Sequence, residues 1–174
     1  MSDWIKAFNP TATITTEAEA LKAARASAIA IFIGVAFGAL SVVMMMNGGM
    51  EALEAAVVAQ GADPQVAGMT GAIAQFTLYS MIAMVVIQLI LGFVQWVKPN
   101  MVIPILFIVL VVYGLGSTVL SQIMAGQVNV PDSPMNATWI LVLSVVVLIV
   151  ELILHIAGVR GASALAKFRE ARGY

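Results

Sequence analysis

The chain of 174 residues contains no cysteine. That excludes disulfides, thiolate metal sites, iron–sulfur clusters and cysteine nucleophiles, and leaves the redox compartment open. Charge is scarce too: Asp, Glu, Lys and Arg make up 10% of the chain, against about 25% in an ordinary soluble domain. So few charges cannot cover a soluble surface. The net charge of −1 offers no basic face to phosphates, which argues against nucleic acid as a partner. A single histidine, His155, is too few for a bis-His haem within one chain. No HExxH, P-loop, Ser–His–Asp set or pair of catalytic carboxylates is present. The chain is therefore expected to be non-enzymatic, with no catalytic residue and no metal site. It has no internal repeat, no inverted match between halves and no low-complexity tract.

What it has in abundance is apolar length. Hydrophobic residues are 61% of the chain and the mean hydropathy is +1.02. A helix needs about 20 residues to cross the hydrocarbon core. Four runs reach that length, at about 26–46, 73–97, 101–124 and 137–159, and none contains Lys or Arg. The first follows a polar segment with no convincing cleavage site and is read as a retained span. The expected fold is all-α: a four-transmembrane-helix bundle forming one membrane domain over residues 1–174, with short cytoplasmic helical extensions.

The eight basic residues fall at three places: Lys6, Lys22 and Arg25 before the first span, Lys98 between the second and third, and Arg160, Lys167, Arg169 and Arg172 after the fourth. The loops at 47–72 and 125–136 have none. By the positive-inside rule, residues 1–25 and 160–174 are expected in the cytoplasm of a bacterium, with the spans in its inner membrane. Trp4, Trp96, Trp139 and Tyr174 fall at or near span ends and are expected to anchor in the headgroup layer.

Local signals refine the boundaries. "TTEAEAL" reads as a capping box, with Thr16 as cap and Glu19 three residues on, so the first helix is expected to begin near Glu17. "NGG" at 47–49 reads as its stop. "MEALEAAVVAQG" reads as a short surface helix that turns Glu51 and Glu54 to water. Asp63 is placed to cap a second helix beginning at Pro64. "WVKPN" reads as a tight turn that makes the second and third spans an antiparallel hairpin. "SDWIKAFNP" carries Trp4, Ile5 and Phe8 on one side and is expected to lie along the inner membrane surface.

Lipid gives apolar helices no hydrophobic reason to associate, so close packing must hold them together. Ala26, Ala30, Gly34 and Gly38 form a small-residue ladder on the first span. Its partner is a neighbour in the same chain, a second copy or another protein. The second span carries a stripe of Thr77, Met81, Met84, Gln88, Gly92 and Gln95. Polar groups at the outer end of the third span, among them Ser117, Thr118 and Ser121, are expected to bond across helices.

The feature that stands out lies in "VVLIVELILHIAGVRG", Val146 to Gly161. Glu151 and His155 are four apart, one turn along the same helix face, with Ser144, Gly158 and Ala162 beside them. A charged carboxylate near mid-membrane costs at least ~2.5 kcal/mol. Glu151 is therefore expected to be protonated, or paired with His155 or Arg160. Ser144 and Gln88 complete the candidate polar set. Three readings stay open: a carboxyl that fixes packing or meets a partner, a protonatable site coupled to movement of a solute or ion, and ligation of haem, a quinone or a pigment through His155.

The tail "GVRGASALAKFR", Gly158–Arg169, together with Lys98 in the second connection, resembles the end of a widespread group of small, uncharacterised bacterial four-span membrane proteins. The resemblance implies an architecture and brings no activity with it. With no loop large enough for a catalytic or receptor domain, the expected role is a subunit, accessory or scaffold of a membrane complex, or a homo-oligomer packed through the first span. The alternatives are a small proton-coupled carrier or pore using Glu151, and a haem, quinone or pigment protein using His155.

Overall fold

The computed structural model describes residues 3–52, 55, 64–125 and 138–173. Every regular element among them is helical: α1 (Asp3–Phe8), α2 (Glu17–Met44), α3 (Pro64–Val97), α4 (Val102–Ala125) and α5 (Thr138–Ala171). The protein is an all-α bundle, and α2 to α5 are each long and apolar enough to cross a membrane. Glu54, Asp63, Tyr174 and the loop 126–137 lie outside the described residues, as does most of the surface helix expected after Met50.

Contacts along the chain place both termini at one end. Arg172 Nη1 meets Glu17 Oε2 at 2.7 Å. Arg25 Nε donates to the Trp96 carbonyl at 3.1 Å, and its guanidinium lies 5.1 Å from the centre of the Trp96 ring. The turn between α3 and α4 therefore shares this terminal end, and with it all eight basic residues.

The packing order is not the chain order. α2 and α5 form the central pair and make the most extensive contact, α3 packs on α2, and α4 packs on α5. The hairpin expectation for the second and third spans needs correction: four residues join α3 to α4, yet the two helices barely touch. The turn explains this. Gln95 is fully buried, and its Nε2 donates to the carbonyls of Ala24 on α2 (3.3 Å) and Asn100 (3.2 Å). Its Oε1 accepts from Asn100 N at 3.3 Å. Asn100 Oδ1 in turn caps α4 by accepting from Ile103 N at 3.0 Å. The turn is thus tied to α2, on which α3 packs, while α4 packs on α5.

The central seam is built from backbone proximity. Ala26 and Ala30 of α2 are fully buried against Leu154 and Ala157 of α5. A side chain on Gly158 would run into Ser27, and one on Gly161 into the backbone of Ala23 and Ala24. Gly38 faces Val85, and Gly92 faces Phe32 and Ile31 across the α2–α3 seam. All four rungs of the ladder are thus used within the chain. The stripe on α3 holds at Gln88, Gly92 and Gln95, whereas Met84 is 45% exposed and Val85 takes its place against Gly38. A helix repeats every 3.6 residues, and the step from Met81 to Gln88 lets either neighbour fill that turn.

Two local expectations change, and a third element gains contacts. α2 does not stop at "NGG": it passes through a π-turn at Met45–Gly49 and kinks at Asn47 and Gly48, where Gly48 takes φ 99°. That left-handed backbone suits glycine, which has no Cβ to clash. α1 also packs on the bundle: Trp4 stacks on Trp96 with ring centres 6.5 Å apart, Phe8 packs against the Ala26–Leu154 cluster, and Ile5 stays exposed. Ser117 and Thr118 bond the Gly114 carbonyl, and Ser121 that of Thr118, so these hydroxyls serve their own helix instead of crossing to another.

The Thr16 cap holds, with Glu19 N donating to Thr16 Oγ1 at 3.2 Å. The return arm of the box shifts by one residue: the Glu19 carboxylate takes Thr15 N (2.7 Å) and Thr15 Oγ1 (2.9 Å), and it pairs with Lys6. These bonds hold its pKa down at about 2.

Candidate intramembrane site

Glu151 projects from the buried face of α5 and meets α2 at Gly34. A methyl group at Gly34 would stand 2.7 Å from Glu151 Oε1 and 3.7 Å from Gln88 Oε1, so carboxyl and amide approach the same point from two helices. Glycine leaves the Glu151 carboxyl its place, which a methyl group there would displace. This gives the Gly34 rung a second use, since it packs α2 and also admits Glu151.

A cavity of about 110 Å³ lies at this point, lined by Glu151, Gln88, Gly34, Ile31, Phe107 and Leu148 among others. All four long helices contribute to it. The dense packing lies on its terminal side: Ile31, Ile103 and Phe107 form a buried cluster below it, with Gln95 beyond. Toward the other end the helices carry mostly exposed side chains, among them Phe76, Tyr79, Tyr113 and Val119.

The expected pairing of Glu151 with His155 or Arg160 is not formed. His155 is fully buried one turn toward the terminal end, and its Nδ1 lies 2.8 Å from Ser27 Oγ. Phe107 stacks on its ring with centres 5.2 Å apart, and its Nε2 has no partner among the described residues. Arg160 is drawn toward the N-terminal segment, where Nη1 donates to the Pro10 carbonyl at 2.6 Å. Glu151 itself has no hydrogen-bond partner among the described residues.

Ser144 is half-buried and donates to Leu141 O of its own helix at 2.8 Å, and it does not line the cavity. The structure therefore brings Glu151, Gln88 and Gly34 together and leaves His155 and Ser144 outside. To ligate haem, a quinone or a pigment, His155 would have to leave the enclosure made by Ser27 and Phe107. No group of three or more metal-binding side chains occurs among the described residues.

Sequence reasoning missed Ser27 and Phe107 as partners of the imidazole, and Asn100 as partner of Gln95. Ser27 had a signal in its place directly after Ala26, on the ladder side of α2. Phe107 had none, because one aromatic ring in an apolar span looks like any other.

No family model, no curated protein and no solved structure matches this chain.

Proposed function

We propose that this chain is a multi-pass protein of a bacterial cytoplasmic membrane, with both termini inside, and that it is a small proton-coupled carrier using Glu151 as its proton-binding group. One observation carries the reading. Glu151 and Gln88 share a cavity of about 110 Å³ where the four long helices meet, and the carboxyl has no hydrogen-bond partner among the described residues. A carboxyl kept only for packing would be bonded to a neighbour, because a buried polar group without a partner costs about 1–3 kcal/mol. The cavity has room for a few water molecules, the means by which a proton reaches such a group. An ionisable residue inside a span is by default a functional candidate. The collection of every basic residue at the terminal end supports the orientation.

The test is reconstitution into liposomes loaded with a pH-sensitive dye. Under an imposed gradient the wild type should move protons, and Glu151→Gln should not. Proton movement no faster than in empty liposomes, or unchanged by Glu151→Gln, sinks the reading.

A second reading, a subunit or scaffold of a larger membrane complex, is favoured by α3. That helix packs chiefly on α2 and turns Phe76 (74% exposed), Tyr79 (67%) and Phe93 (57%) outward. Such an aromatic face suits a partner helix. Native mass spectrometry after extraction from native membranes in mild detergent separates the two: a stoichiometric partner favours the scaffold, and its absence removes this support.

A further inference from the structure

A second cavity opens at the terminal end, and its lining does not include Glu151. It is a groove of about 770 Å³ between the N-terminal arm at Pro10 and Ile14, the first turns of α4, and the terminal half of α5. We propose that it binds an anionic phospholipid, holding the phosphate at Arg160 and Lys167 and one acyl chain along the isoleucines below them. The proposal does not depend on the reading of Glu151.

The groove changes character along its length in the way a lipid does. Ile156, Arg160, Ser163 and Lys167 line it from α5 at steps of four, three and four residues, which places them in one row on the helix. The row begins apolar and ends with two cations and a hydroxyl. Ile105 and Ile108 of α4 face its apolar end. A soluble phosphate compound would have no use for that wall, whereas an acyl chain would.

The cationic end is also unspent. Arg160 is anchored through Nη1 on the Pro10 carbonyl, while its Nε and Nη2 are buried with no hydrogen-bond partner among the described residues. Neither Arg160 nor Lys167 makes an ion pair among the described residues. Two nearby acids are engaged elsewhere, Glu17 by Arg172 and Glu19 by Lys6. Two cations beside one groove, neither of them in an ion pair among the described residues, favour a lipid with net negative charge over a zwitterionic one, which carries its own cation. Basic pockets between spans bind anionic headgroups in this way.

Native mass spectrometry of the full chain, titrated in detergent with phosphatidylglycerol or phosphatidylcholine, tests the site. Phosphatidylglycerol should bind several-fold more tightly. Lys167→Gln should weaken it about fivefold, the weight of one basic residue near an anionic surface, with phosphatidylcholine unaffected. Arg160→Gln should cost at least as much. If that variant fails to fold, Lys167→Gln, at an exposed position, decides alone. Equal affinity for the two lipids, or unchanged phosphatidylglycerol binding in Lys167→Gln, overturns the proposal. Displacement of phosphatidylglycerol by an equal concentration of glycerol phosphate also overturns it, by showing that the site recognises a free phosphate compound.

Discussion

Ser27 Oγ lies 2.8 Å from His155 Nδ1 across the seam between α2 and α5, and neither side chain reaches the surface. Serine is small enough to share this place with Gly158, whose own side chain would collide with it. Removing the hydroxyl leaves both ring nitrogens of His155 without a partner among the described residues. Ser27→Ala should therefore destabilise the bundle by about 0.6 kcal/mol, the average for bonds between membrane helices, and by no more than about 1.7 kcal/mol. Thermal unfolding in detergent reads this, and an unchanged midpoint would show the bond to be idle.

Gly161 offers a larger effect. Its missing side chain is what lets α5 touch the backbone of Ala23 and Ala24. Gly161→Ala should cost about 1–3 kcal/mol through overpacking. Gly116 has nothing within 4 Å of where a methyl would go, so Gly116→Ala is the matched control and should melt as the wild type does. Equal melting of both variants would contradict the close seam.

Gln95 ties the α3–α4 turn to α2. Gln95→Leu keeps the volume near that of the amide while removing three hydrogen bonds. The expected result is a loss of about 1–3 kcal/mol, since Asn100 N is left unpaired. It should come with faster amide exchange at Asn100, read by hydrogen–deuterium mass spectrometry. Protection equal to the wild type would mean that Asn100 caps α4 unaided.

Glu19 stands before the apolar run of α2, and Lys6 and Thr15 hold its pKa at about 2 against an ordinary 4.5. A depressed carboxylate stabilises the folded arm above its unfolded pKa, and that contribution disappears as pH falls from about 4.5 to about 2. α1 should loosen over that interval. In a background with Trp96 and Trp139 changed to Phe, acrylamide quenching of Trp4 should rise as the pH is lowered. A flat response down to pH 2 would count against the Glu19 contact as the arm's tether.

The four spans, the Thr16 cap and the start of α3 at Pro64 were legible because each rests on residues close together in the chain. The small-residue ladder was legible as a packing device, but its partner was not. Gly34 and Gly38 state that a helix approaches, and nothing local says that α5 and α3 supply it. The kink at Gly48 looked like a stop because glycine allows either outcome, and the residues after it decide between them. Glu151 and Gln88 were each visible as polar residues in apolar runs. Their meeting at Gly34 joins residues from three helices, which no spacing along one helix reveals. The pairing of Arg160 with Pro10 spans 150 residues and had no trace in the pattern.

The central seam joins the first long helix to the last, and this orders the protein's biogenesis. While the chain is being made, α2 enters the bilayer with its alanine and glycine rungs bare and can recruit only α3. The most extensive helix pair forms once α5 has left the ribosome, after more than a hundred further residues have been synthesised. Contacts so distant in sequence are slow to close. A chain truncated before α5 would carry three inserted spans without the Ala26–Ala30–Leu154–Ala157 cluster of the central seam, which makes it a natural substrate for membrane quality control.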